Sequence, residues 1–251
     1  MTASPRTALR RRIYLMRHAE VSYFDADGRP LDPRHVPLTD VGRRQARAAA
    51  AALAEVVFDL AVCSGLPRTA ETARLVLGER DLPLREDARL KEVKAGRLDA
   101  VPADERERVI AYAYDGAEAM DAAFIGGERW IDFQQRVLAA WAALVARDGW
   151  QDALVVAHDA VNRMLLSHVA GAGLAGLKAF EQDPACINMI ELDVDAGRVR
   201  RAFLRAVNHA PYDPARIGNR RTVMERIFRA FVPDPDRRGP ASLRLPTARH
   251  P

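Results

Sequence analysis

A layered α/β domain built on a mainly parallel sheet is the fold class this sequence predicts. Three short apolar runs, residues 13–16, 60–63 and 154–157, each pass through a tight turn into a helix-like segment. Runs this short and this continuously apolar suit strands buried on both faces. Strand, turn and helix repeated in this way give a parallel sheet with helices layered against it.

Each element has local grounds. Residues 13–16 form the first strand, and Thr39 and Asp40 are N-cap candidates for a helix over residues 41–56 whose arginine-rich face points outward. The second strand, 60–63, is punctuated by Ser64, Gly65 and Pro67 before a helix that runs to about Leu77. The third, 154–157, leads into a helix through Val169. Residues 98–130 are less periodic, with helical stretches around 105–114 and a break at Gly126 and Gly127. They read as an excursion over the sheet in which substrate selectivity would reside. Beyond Pro211 the prolines forbid one long helix, so a helix over 221–231 and a loose tail are expected.

Composition narrows the function classes. The 251 residues, 49% hydrophobic and 29% charged, suit one globular body. No apolar run approaches the ~20 residues of a membrane span, and the N-terminal arginines are not followed by a secretory apolar segment. A cytoplasmic protein without membrane partners is expected. Cys63 and Cys186 are the two cysteines; without CxxC spacing they support neither a disulfide framework nor a cysteine zinc site. The net charge of +4 is uneven, because residues 201–251 carry +7 and the remainder −3. Those arginines lack interleaved aromatics, so a solvated, partly helical appendage is expected rather than a nucleic-acid surface. The sequence leaves homo-oligomerisation open.

In an open α/β sheet, ligands gather at the carboxyl ends of the strands. Here those ends carry Arg17 and His18, the stretch from Ser64 to Arg68, and His158 with Asp159. Two arginines and two histidines suit the binding of a tetrahedral dianion while a ring nitrogen attacks its phosphorus. The guanidinium fork matches two phosphate oxygens and does not titrate. Neighbouring cations keep an imidazole unprotonated and therefore nucleophilic. The leaving alkoxide needs a proton, best supplied by a carboxyl group of raised pKa.

The run Leu15-Met16-Arg17-His18-Ala19-Glu20 resembles the R-H-G-E/Q segment of the histidine phosphatase superfamily, also called phosphoglycerate mutase-like. Further matches follow in the family's order. Leu38-Thr39-x-x-Gly42-x-x-Gln45-Ala46 resembles a helix start, and Ser64-Gly-Leu-Pro-Arg68-Thr-Ala-Glu-Thr72-Ala73 an S-x-x-x-R-A-x-Q-T-A block. Leu90-Lys-Glu92-x-x-x-Gly96 resembles L-x-E-x-x-x-G, Gly127-Glu128 with Arg136-Val137 a G-E-S helix, and Val155-Val156-Ala157-His158 the strand carrying the second histidine.

The resemblance implies a three-layer α/β/α sandwich and a histidine phosphatase domain over 13–210, with a basic segment at 1–12 and a basic, proline-rich extension at 211–251. It implies that His18 becomes phosphorylated, that Arg17, Arg68 and His158 surround the phosphate oxygens, and that Glu92 gives and takes the proton. The expected activity is hydrolysis of a phosphorylated small molecule without metal or cofactor.

Departures from the family pattern keep two alternatives open. Ala19 and Asp159 stand where glycines are usual, and Tyr23 and Phe24 end a run that elsewhere reads W-N. A catalytically weak phospholigand- or partner-binding member is one alternative. A phosphoglycerate mutase is the other, disfavoured by Phe24. Cys63 and Arg68 have four residues between them, one short of a cysteine-phosphatase loop. Glu20, His18, His158 and Asp159 lack the spacing of a helical metal site.

Overall fold

The computed structural model describes residues 9–25, 27, 29, 31–97, 100–216 and 220–231. In chain order its strands and α-helices are β1 Leu9–Arg17, α1 Asp40–Ala52, β2 Leu60–Cys63, α2 Pro67–Leu77, β3 Leu84–Glu86, α3 Arg106–Ala111, α4 Trp130–Ala146, β4 Asp152–Ala157, α5 Asp159–Val169, β5 Ile187–Asp195, β6 Arg198–His209 and α6 Val223–Phe231. The strands form one sheet in the order β3-β2-β4-β1-β5-β6. The first four of these are parallel to one another, whereas β5 is antiparallel to β1 and β6 is antiparallel to β5.

Alternation along the central strands sorts their side chains into two apolar layers. Tyr14, Met16, Leu154 and Val156 pack with Ala49 and Leu53 near α1 and with Ala73 and Val76 of α2. Ile13, Leu15, Val155 and Ala157 pack on the opposite face with Val137 and Trp141 of α4 and Val161 and Leu165 of α5. The expected three-layer sandwich is the result.

The three apolar runs are the three central strands, and the helix after β2 ends at Leu77 as expected. Thr39 caps α1, its hydroxyl accepting from the Gly42 N–H at 2.9 Å. That helix stops at Ala52, short of residue 56. Arg80 lies across its end and donates to the carbonyls of Leu53 and Ala54 at 2.9 and 2.8 Å, closing it one turn early.

The amino-terminal basic residues have a different setting from the one expected. β1 starts at Leu9, so residues 9–12 belong to the sheet, while residues 1–8 lie outside the described residues. Arg10 and Arg12 point to one face and pair with Asp193 and Glu191 of β5. Arg11 points to the other, lies 4.7 Å from the Trp150 ring centre and donates to the Val145 carbonyl.

The described part of the carboxyl-terminal extension also returns to the domain. On α6, Val223 and Met224 are buried and Ile227 and Phe228 pack on the core. The Val223 N–H donates to Glu181 at 2.7 Å, and Arg226 pairs with Asp183. The tail expected after this helix lies outside the described residues. Within 98–130, the excursion buries Ile110 and an aromatic cluster of Tyr114, Phe124 and Trp130 that leads into α4.

Candidate active site

The order β2-β4-β1 brings three carboxyl ends together. Arg17 is aligned with Ala157, and Val156 with both Met16 and Cys63, so His18, His158 and Ser64 emerge as neighbours. The His18 N–H continues the ladder to the Ala157 carbonyl at 3.0 Å. Gly65 turns the chain with φ of +82°, a conformation open to glycine, and Pro67 then starts α2. Arg68 stands in the first turn of that helix.

His18 is 3% exposed, and its Nδ1 lies 2.7 Å from the Ala19 carbonyl. The Nδ1–H tautomer donates there and leaves Nε2 with its lone pair. Burial, reinforced by Arg68 and Arg17, drives the pKa of this imidazole well below its ordinary value. The second ring, His158, lies 5.2 Å away between centres in an edge-on arrangement. Its pKa is also well below the ordinary value, through burial first and then Arg68 and His18.

Both arginines are buried. Arg17 donates to the Gln182 carbonyl at 2.7 Å, and Arg68 to the Pro33 carbonyl. Among the described residues, four buried side-chain polar atoms have no protein partner, and three of them are Arg17 Nε, Arg68 Nε and His158 Nδ1. Buried donors are normally satisfied. Three such exceptions, on residues at one end of the sheet, can serve an anion with several acceptor oxygens.

Glu92 comes from the irregular loop after β3 and reaches the start of α5. One carboxyl oxygen accepts from the Val93 N–H at 3.0 Å and the other faces the Ala160 N–H at 3.4 Å. Burial is the main cause that pushes its pKa up to about 7, with the Asp159 charge second, against the lowering effect of Arg17 and Arg68. The structure therefore brings His18, Arg17, Arg68, His158 and Glu92 to one end of the sheet. Among the described residues, no group of three His, Cys, Asp or Glu side chains is arranged to hold a metal ion.

Asp159 is turned into a buried network with Arg163 and Tyr114. Its carboxylate accepts from Arg163 Nε at 2.9 Å and the Tyr114 hydroxyl at 2.8 Å. Ala19 fills a small apolar pocket with Leu38, Ala46 and Ala185, while its N–H donates to the Thr72 hydroxyl at 3.0 Å. Cys63 is fully buried, as expected of a core thiol. His35 and His209 are exposed, and His168 packs edge-on to Trp141.

Sequence reasoning named Ser64 and Thr72 only as parts of a motif and gave neither a role. Ser64 Oγ lies 2.8 Å from His158 Nε2 and 3.0 Å from Thr69 Oγ1, and its place just after a strand could have signalled it. Thr72 sits one turn after Arg68, so helical spacing could have shown that it faces the same way.

The histidine phosphatase superfamily (branch 1) model matches residues 13–204. Adenosylcobalamin/alpha-ribazole phosphatase of Escherichia coli K12 is 30% identical over 201 residues, covering 78% of this chain and 97% of that protein. The alpha-ribazole phosphatase structure from Shigella flexneri is 31% identical with a TM-score of 0.63, covering 78% and 96%. A mycobacterial glucosyl-3-phosphoglycerate phosphatase is 25% identical with a TM-score of 0.63, covering 79% and 99%. A family match across most of the chain, joined by a relative 30% identical over nearly its whole length, shows that this chain belongs to the histidine phosphatase superfamily.

Proposed function

We propose that this histidine-dependent phosphatase hydrolyses a phosphorylated small molecule in two steps through a phosphohistidine at His18, without a metal. The observation that carries the reading is the His18 ring, tied through Nδ1 to the Ala19 carbonyl and set beside two buried arginines and His158. Nε2 attacks phosphorus and the bond to the leaving oxygen breaks. Arg17, Arg68 and His158 Nδ1–H meet the equatorial oxygens on which charge accumulates. For His158 to donate from Nδ1, Ser64 must donate to Nε2, 2.8 Å away.

Glu92 acts at the leaving side. A carboxyl with a pKa of about 7 is substantially protonated at neutral pH and can protonate the departing alkoxide. Ionised by that transfer, it then takes a proton from the water that attacks phosphohistidine. The sign of the pH dependence follows: on free enzyme and substrate, activity falls as pH rises through about 7, when the donor is lost. Both histidines have depressed pKa values, so the acidic decline lies below 6.5, the usual imidazole value.

Relatives named for alpha-ribazole and glucosyl-3-phosphoglycerate substrates support the small-molecule class. Residues 98–130 would form the selecting wall. Two buried free thiols, Cys63 and Cys186, suit a reducing cytoplasmic setting.

The test is turnover of p-nitrophenyl phosphate with EDTA from pH 5 to 8, beside His18→Ala. Chelator-resistant turnover that vanishes in the variant is expected. Activity that depends on metal, or that survives in His18→Ala, overturns the reading.

A further inference from the structure

We infer that Arg136 and Glu128 are positioning residues that fix the loop on either side of Glu92 and thereby hold its carboxyl at the leaving-group side of the site. The inference rests on the reading of Glu92 as the proton donor and adds what keeps that donor in place.

Residues 91–94 belong to no helix or strand, so their backbone groups need partners from elsewhere. Arg136, on the second turn of α4, supplies them. Its Nη1 donates to the carbonyls of Arg89 and Lys91, both at 2.7 Å, and its Nη2 to the Glu92 carbonyl at 3.1 Å. Its Nε and Nη2 also form a fork onto Glu128 at 2.7 and 2.9 Å. A guanidinium has five N–H donors, and these five contacts engage all of them. None remains for a substrate.

Glu128 completes the clamp. The carboxylate that receives the Arg136 fork also accepts from the Lys94 N–H at 3.0 Å, and its own backbone N–H donates to the Lys94 carbonyl at 2.8 Å. Arg136 and Glu128 together grip the loop at residues 89, 91, 92 and 94, before and after Glu92. Gly127 allows the two loops to cross this closely: a Cβ there would lie 2.2 Å from the Lys94 carbonyl oxygen and 2.4 Å from the Gly96 nitrogen. The Phe133 ring, 4.8 Å from the guanidinium carbon, backs the clamp.

The carboxyl's own contacts explain why such a clamp matters. At the site Glu92 has one hydrogen bond to its neighbour's N–H and a 3.4 Å approach to Ala160. Its placement therefore depends chiefly on the backbone beneath it. An ion pair of side chains 22% and 12% exposed, bidentate and multiply hydrogen-bonded, holds geometry far better than a surface pair.

The test separates proton donation from general damage by changing the leaving group. Phenol, with a pKa of about 10, needs a proton as it leaves; 2,4-dinitrophenol, far more acidic, does not. Leaving-group release is measured in single turnovers of phenyl phosphate and 2,4-dinitrophenyl phosphate by the full chain and by Arg136→Lys, Glu128→Gln and Glu92→Gln. Arg136→Lys keeps the charge but loses the fork, and Glu128→Gln keeps the shape, so either variant can speak if the other fails to fold.

Expected is a loss of roughly 10²-fold with phenyl phosphate for Glu92→Gln, the scale of general-acid catalysis. Either clamp variant should lose about 10-fold or more there and less than about 3-fold with dinitrophenyl phosphate. Equal slowing of both substrates, or no slowing, in clamp variants while Glu92→Gln discriminates overturns the positioning role alone. Failure of Glu92→Gln itself to discriminate overturns the proton-donor reading and this inference with it.

Discussion

Replacing Asp159 by Asn tests how the buried network beside the site is coupled to Glu92. Asp159 and Arg163 have side chains 5% and 2% exposed and meet at 2.9 Å. The amide would keep the shape and one acceptor but lose the charge. Breaking a buried pair costs about 3–5 kcal/mol when nothing else compensates. Here Arg163 retains Glu181 at 2.8 Å and the Leu177 carbonyl at 3.2 Å, so the cost should be nearer 2–3 kcal/mol, a charged hydrogen bond. For a chain of this size that lowers Tm by roughly 5–10 °C. The same substitution removes the negative charge that helps keep the Glu92 pKa high, so the basic limb of kcat/KM should move to lower pH. Calorimetry and a pH series on p-nitrophenyl phosphate read the two effects separately. An unchanged Tm would refute the network's contribution to stability, and a stationary basic limb would refute the coupling to Glu92.

Three further outcomes are expected. Ser64→Ala removes the partner of His158 Nε2 and should lower kcat on the order of 10-fold, with little change in circular dichroism; undiminished turnover would show that Ser64 does not set the tautomer. Thr39→Ala deletes the cap of α1 and should cost about 1 kcal/mol in urea unfolding while leaving kcat/KM untouched. Gly127→Ala forces a Cβ against the backbone of the Glu92 loop, so activity should fall more steeply with phenyl phosphate than with dinitrophenyl phosphate.

The central half of the fold was legible because buried parallel strands write continuous apolar runs, and each run here is followed by its own turn signal. The β5-β6 hairpin escaped that reading. Its turn uses Ala196 and Gly197, both at positive φ, so alanine stands where asparagine would announce such a turn. On β6, Arg201 and Arg205 alternate with half-buried Ala202 and Leu204, and those arginines, with Arg10 and Arg12, pair with acids on β5. A charged ladder on a sheet face looks, in one dimension, like a basic tail. Residues 9–12 and 201–205 share that disguise.

The site was readable to the extent that motif order places residues at strand ends. What a linear pattern does not carry is the loop geometry that brings Glu92 to α5, or the partner of Asp159. An aspartate at position 159, where a glycine is usual, would crowd the site if its carboxylate faced into it. The carboxylate is instead accommodated by Tyr114, 45 positions away in sequence and on the excursion.

Covalent trapping addresses the central claim most directly. A [³²P]-labelled phosphomonoester is mixed with the protein in EDTA, the reaction is quenched in alkali on the millisecond scale, and the labelled peptide is mapped. The account predicts label at His18, stable to alkali and lost in acid, absent from His18→Ala and formed at least as fast as product. Turnover without a labelled protein, or with label on another residue, would contradict it.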